Sequence, residues 1–159
     1  MDTGLSIVDY NDDLAQAFYD INAQWIDSMF VLEDYDRHIL SHPREEIIDA
    51  GGVICFVASS TRGIVGTCAL MRRRDAEYEL TKMGVLENAR GLKAGEYLLA
   101  HMIDQARTVR AEKLYLLTNK RCEAAIHLYQ KLGFVYCKAT LDKYGALYDR
   151  TDVAMDYAF

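Results

Sequence analysis

The sequence of 159 residues holds one proline, Pro43, and has no Gly/Ser-rich linker, internal repeat or low-complexity tract. Nothing in it marks an internal domain boundary. No apolar run approaches the roughly 18 to 20 residues that span a bilayer, and the opening MDTGLSIVDYNDD has neither the basic nor the apolar region of a signal peptide. The expectation is a cytoplasmic protein with no membrane partner. Basic residues are in deficit, 18 Lys+Arg against 24 Asp+Glu for a net charge of −6. Without a basic surface to displace phosphate counterions, no nucleic-acid partner is expected. The four cysteines, Cys55, Cys68, Cys122 and Cys137, form no CxxC pair, so free thiols are expected rather than disulfides or a zinc site. The one metal-like spacing is His38 with His42, followed at once by Pro43 and with no third ligand evident; no metal is expected.

What is present is the composition of a globular protein, 51% apolar and 26% charged. A chain of this size buries about 68–70% of its unfolded surface, enough for a core without a metal or disulfide staple. One domain over residues 1–159 is expected. Leu5 to Tyr10 reads as a strand, and Asn11 as the N-cap of an amphipathic helix whose apolar residues Leu14, Phe18, Ile21 and Trp25 recur at steps of four and three. Pro43, the acids Glu45 and Glu46, and Gly51-Gly52 delimit a second, short helix. The period then changes. Residues 52–58, 64–72 and 77–85 are β-rich runs separated by short polar turns, an antiparallel meander. Arg72, Arg73 and Arg74 in the second turn are open to two readings, a phosphate patch or a solvated charged turn.

A helix from Ala94 to about Arg110, a strand 113–117, a helix carrying Ala125, Leu128, Tyr129 and Leu132 and stopped by Gly133, and strands 134–137 and 151–157 complete the order. The strand–helix–strand units after residue 77 require parallel pairing beside the meander, an α/β mixture of the α+β type. The strand ending Met83-Gly84-Val85 runs into a loop, Arg90-Gly91-Leu92-Lys93-Ala94-Gly95, and then a helix. Such a junction aims backbone N–H groups and the positive end of a helix dipole at one point, a geometry that binds phosphate. It is neither a P-loop nor a Rossmann fingerprint, and an ordinary glycine-containing turn is the plain alternative.

That stretch resembles the GNAT N-acetyltransferase superfamily, whose phosphate-binding motif is [Q/R]xxGx[G/A]; Arg90 takes its first position and Gly95 its last, while Lys93 replaces the glycine at the fourth. Ala125-Ile-His-Leu-Tyr129-Gln-Lys-Leu-Gly133-Phe134 is similar to the family's A-I-x-L-Y-x-K-x-G-F segment, and Tyr148 to Met155 resembles its closing strand. Cys122 stands where many members have asparagine, and the nearest asparagine is Asn119.

The resemblance implies a mixed, mainly antiparallel twisted sheet of about six to seven strands flanked by helices, with residues 1–51 a helical acceptor-side segment and 52–159 the coenzyme-binding core. It implies acetyl transfer from acetyl-CoA, as co-substrate, to an amine of a small molecule or peptide by direct attack in a ternary complex. Met83, Gly84 and Val85 would carry the pantetheine arm and a backbone N–H for the oxyanion. Arg90, Gly91, Leu92, Lys93, Ala94, Gly95 and Glu96 would hold the pyrophosphate, with Asn119 a further coenzyme contact. Glu79, backed by Glu77, is the candidate base, because an ammonium must lose a proton before it attacks, and Tyr129 is the candidate acid for the departing thiolate. Trp25, Phe30 and Tyr35 are candidate walls of the acceptor pocket, with a core role the alternative for Trp25. Dimerisation is common among similar proteins, so a homodimer is possible. The alternative function is a non-catalytic acyl-CoA-binding or interaction module on the same fold.

Overall fold

The shift from helical to alternating periodicity near Gly52 is where the sheet's central meander begins. The computed structural model describes residues 4–89 and 93–159. Strands β1 (Leu5–Asp9), β2 (Val53–Ser59), β3 (Gly63–Arg74) and β4 (Glu77–Val85) pair antiparallel in sequence order. β5 (Lys113–Thr118) then joins β4 in parallel. β6 (Phe134–Tyr136) and β7 (Val153–Tyr157) close the sheet in the order β5-β7-β6, antiparallel again. The mixed, mainly antiparallel sheet therefore has seven strands among the described residues.

Among the described residues five α-helices flank it: α1 (Ala15–Met29), α2 (Asp34–Ser41), α3 (Ala94–Thr108), α4 (Glu123–Leu132) and α5 (Lys138–Tyr144). Because successive strand residues point to opposite faces, Cys55, Val57, Cys68, Leu70 and Leu80 meet α3 and α4 through Leu98, Leu99, Met102 and Ile126. Ile54, Phe56, Ala69 and Met71 meet Phe18 and Ile26 of α1 and Ile39 and Leu40 of α2 on the other face. Gly133 ends α4 with φ +114, the left-handed cap that its sequence position implies.

Several boundaries differ from the sequence reading. Asn11 caps a 3₁₀ turn, Asp12–Leu14, that leads into α1. The short helix after Pro43 is a π-helical turn, Arg44–Ile48. Its neighbour α2 has no counterpart in the sequence reading; it begins with a reciprocal box in which Glu33 and Asp36 each accept from the other's backbone N–H. Such boxes normally carry Ser or Thr at the cap, and buried Asp36 interrupts the apolar stripe. α5 also went unread, since only Thr140 of its residues is buried.

Candidate active site

The parallel ladder between β4 and β5 runs only from Glu77–Lys113 to Leu80–Leu116. Beyond it the strands part, at the place where consecutive strands stop being neighbours through a hairpin and a crossover begins. Ligands of open α/β sheets collect at such switch points. A cavity of about 640 Å³ opens there between Thr81–Val85 on one side and Leu117–Asn119 on the other. Met83, Gly84, Val85, Lys93, Ala94, Gly95, Glu96, Asn119 and Tyr129 all line it, so the structure brings together these sequence-predicted positions. Arg90, Gly91 and Leu92 lie outside the described residues. Trp25 and Phe30 of the α1 region form a further wall, whereas Tyr35 stands behind it.

At the head of α3, Lys93 adopts φ +59 and ψ +25, the left-handed conformation. For a residue with a Cβ in place of the family's glycine this is a strained backbone. Gly95, two residues on, is not demanded by the protein's own packing: a Cβ there would meet Leu128, Met83 and Val85 at ordinary distances of 3.6–3.7 Å. Glu96 pairs with Lys131 of α4 at 2.6 Å. Tyr129 is 8% exposed, packs edge-on against Phe134, and burial pushes its phenol up from its ordinary value.

Three candidates are engaged elsewhere in the fold. Glu79 is 1% exposed, is not among the described residues lining the cavity, and accepts from both Nε (2.9 Å) and Nη2 (2.6 Å) of Arg73. Arg73 also donates to the Tyr35 hydroxyl, so this member of the arginine run turns inward, while Arg72 pairs with Asp75. Neither the phosphate-patch nor the solvated-turn reading describes Arg73. Glu77 accepts from the Tyr144 hydroxyl at 2.5 Å and from Lys143 at 3.3 Å, both in α5; the Tyr144 bond lowers its carboxyl against the opposing effect of burial, with Lys143 adding to the lowering. The Asn119 amide donates to the Arg150 carbonyl and to Asp152, and its oxygen accepts from the Arg121 N–H, pinning the segment that leads into β7.

A cluster that the sequence reading missed lies at the cavity's other end. Between the pairs Thr67–Gly84 and Ala69–Thr81, Cys68 of β3 opposes two residues of β4, Lys82 and Met83. This is a β-bulge, which locally disrupts the ladder and re-aims a side chain. Lys82 takes φ +53, and its side chain, 2% exposed, donates at 2.9 Å to Oδ1 of Asp36 and at 2.9 Å to the Tyr148 hydroxyl. Asp36 is fully buried and receives both terminal nitrogens of Arg150, at 2.7 and 2.9 Å. Arg150 reaches Glu33 as well, at 3.1 Å. Burial alone would raise the Asp36 carboxyl, but the Arg150 bond and the Lys82 charge and bond outweigh it and hold it at about 2. Burial lowers the Lys82 amine despite the opposing charges of Asp36 and Glu79. It raises the Tyr148 phenol well above its ordinary value, reinforced by Glu79. Lys82, Tyr148 and Arg150 all line the cavity.

Residues 10–134, which include the parted strands and the helix N-terminus of the cleft, match the Acetyltransferase (GNAT) family. The chain belongs to that family. As a GNAT protein it is an N-acetyltransferase enzyme. It is 26% identical over 104 residues to the uncharacterized N-acetyltransferase YvbK of Bacillus subtilis (strain 168), covering 64% of this chain and 67% of that one. Its fold superposes on an acetyltransferase of the GNAT family from Staphylococcus aureus Mu50 with a TM-score of 0.85 at 21% identity, covering 96% and 98% of the two chains. An acetyltransferase from Streptococcus agalactiae 2603 gives 0.79 at 20% identity over 98% and 99%. At these identities the structural likeness is one of fold. No helix among the described residues is long and apolar enough to cross a membrane.

Proposed function

We propose that this GNAT protein transfers the acetyl group of acetyl-CoA to an amine of a small molecule or peptide, by direct attack within a ternary complex. One observation carries the reading: a single cavity runs between the parted ends of β4 and β5, with the N-terminus of α3 and Tyr129 on its walls and a buried ionic cluster at the β4 bulge. The unpaired edge of Thr81–Val85 suits the amides of the pantetheine arm, which would add to β4 as a strand does. Lys93 and the first turn of α3, with Gly95 and Glu96, suit the pyrophosphate, together with the sequence candidates Arg90, Gly91 and Leu92. Asn119, its amide already bonded, would meet coenzyme mainly as part of the cleft wall.

The disrupted ladder at Lys82–Met83 would supply a backbone donor to the oxyanion. Attack by the amine nitrogen forms the C–N bond, the C–S bond breaks, and Tyr129 gives its proton to the departing thiolate. Glu79, fixed by Arg73 behind the wall, would act by its charge on Lys82 and Tyr148. Residues 1–51 supply the acceptor wall through Trp25, Met29 and Phe30. The test is free-thiol release from acetyl-CoA with a broad amine panel, alongside the melting shift in CoA. Turnover on at least one amine is expected. Stabilisation by CoA without turnover on any amine would instead make the chain a coenzyme-binding module.

A further inference from the structure

Resting on the acetyl-transfer reading, we propose that Lys82, as a neutral amine, takes the proton from the acceptor's ammonium group. The first ground is position. Lys82 is the residue that the β4 bulge delivers to the cavity, and it holds a left-handed backbone to get there. For a side-chain-bearing residue that conformation costs roughly 1–2 kcal/mol, and strain of this kind gathers at functional sites.

The second ground is hydrogen-bond valence. A neutral primary amine has two N–H donors and one lone pair; the Lys82 nitrogen donates to two acceptors, Asp36 and Tyr148. The remaining tetrahedral direction carries the third N–H of the ammonium form or the lone pair of the neutral one, so the geometry accommodates the neutral amine with both of its N–H groups satisfied. Asp36 keeps a counter-ion when Lys82 is neutral, because Arg150 binds both of its oxygens.

The third ground is the disposition of the carboxylates. Asp36 is sealed by Arg150, Lys82 and the Glu33 N–H. Glu79 is buried off the cavity lining with its Oε1 held by Arg73, and Glu33 is held by Arg150 and the Asp149 N–H. Among the described residues, the carboxylates that line the cavity are Glu96 and Glu123, in the first turns of α3 and α4, and Glu96 is paired with Lys131.

The charged and titratable groups facing Lys82 are Asp36 and Tyr35 from α2, Glu79 from β4, and Tyr148 and Arg150 from the segment before β7. Asp36 and Glu79 favour the ammonium form; Arg150 and burial favour the neutral one, and burial is the larger influence. With Lys82 neutral, the buried group of Glu33, Asp36 and Arg150 carries one net negative charge, which attracts an ammonium. Accepting its proton brings the group to neutrality. Two protons leave the acceptor nitrogen in all. The first passes to Lys82 and on to solvent; the second, shed as the C–N bond forms, also passes to solvent, from which the Tyr129 phenolate is reprotonated after its own proton has gone to the CoA thiolate, so that one proton is released per turnover.

The experiment is the pH dependence of kcat/KM for two acceptors of different amine pKa, together with NMR titration of the Lys82 side-chain nitrogen in the intact protein. A rising limb is expected that is common to both acceptors and coincides with the Lys82 titration. Lys82→Arg and Lys82→Met should abolish that limb and lower kcat/KM at least about 100-fold, the smaller end of general-base contributions, while the melting shift in CoA is kept. An unchanged limb in either folded variant would overturn the proposal, as would a Lys82 nitrogen that stays protonated throughout the limb. If both variants fail to fold, the wild-type titration decides alone. If CoA binds and no amine is acetylated, the acetyl-transfer reading falls, and the titration still decides whether Lys82 is neutral.

Discussion

Trp25 lies so close over Gly84 that a Cβ on the glycine would stand 2.5 Å from Cδ1 of the indole and 3.2 Å from Cγ2 of Ile21. The α1 wall of the cavity is thus seated directly on the backbone of β4. Gly84→Ala must push the ring or the helix outward, and overpacking of this kind costs about 1–3 kcal/mol. The expected result is that loss in urea unfolding, with the acceptor KM raised more than the acetyl-CoA KM if the displaced wall is the acceptor's, as the proposed function has it.

Asp36 gives the fold an acid-sensitive latch. Its carboxyl titrates at about 2 in the folded protein against an ordinary 3.8. A depressed carboxyl contributes stability that is whole above the unfolded value and disappears as pH falls through the folded one. The window is therefore about pH 4 down to about pH 2, and the contribution is about 2 kcal/mol. Asp36→Asn should remove that limb from a urea-stability profile. Near neutral pH it should destabilise by about 3–5 kcal/mol, because Arg150 and Lys82 lose their shared partner.

At Lys93 the opposite sign is expected. Replacing it by glycine removes the left-handed penalty, which is roughly 1–2 kcal/mol for a residue with a Cβ, less the extra chain entropy that glycine loses on folding, roughly 0.5–1 kcal/mol. Thermal unfolding of Lys93→Gly should show a small net gain. Affinity for CoA, measured by titration calorimetry at two salt concentrations, should lose part of its salt dependence with the charge.

Tyr129→Phe separates chemistry from packing. The ring remains against Phe134, so stability should change by no more than about 1 kcal/mol. The rate should fall towards the lower end of the range for a lost general acid, about 100-fold, since a thiolate of pKa about 8.5 departs with little help. Acetyl thioesters of more acidic thiols should narrow the deficit, which a purely structural role would not do.

The strands and the cleft were legible in the sequence because alternation, glycine punctuation and the strand–loop–helix junction are local patterns. Met83 to Val85 and Lys93 to Glu96 reach the cavity as that junction implies. The ionic cluster was not legible, for a different reason at each residue. A lysine within a strand reads as a solvent-facing residue, and only the register of β3 against β4 reveals the bulge that buries Lys82. Asp36 breaks the apolar stripe by which a helix such as α2 is recognised. The pairing of Glu79 with Arg73 depends on where the β3–β4 turn folds back, six residues apart in sequence and opposite in charge, a relation that many exposed pairs share.

The parting of β4 from β5 at Leu80 and Leu116 has a consequence for how the pocket can change. Its opening is made by two main chains that diverge, so no choice of rotamer or exchange of wall residue can shut it. The edge of Thr81–Val85 facing β5 keeps main-chain donors and acceptors that must be met by solvent or by a guest. A guest with amides spaced like a peptide releases that solvent and matches the edge, whatever side chains surround it. On the proposed function, affinity for the acyl donor would be written into the backbone, and Trp25, Met29 and Phe30 could change and re-specify the acceptor without loss of it.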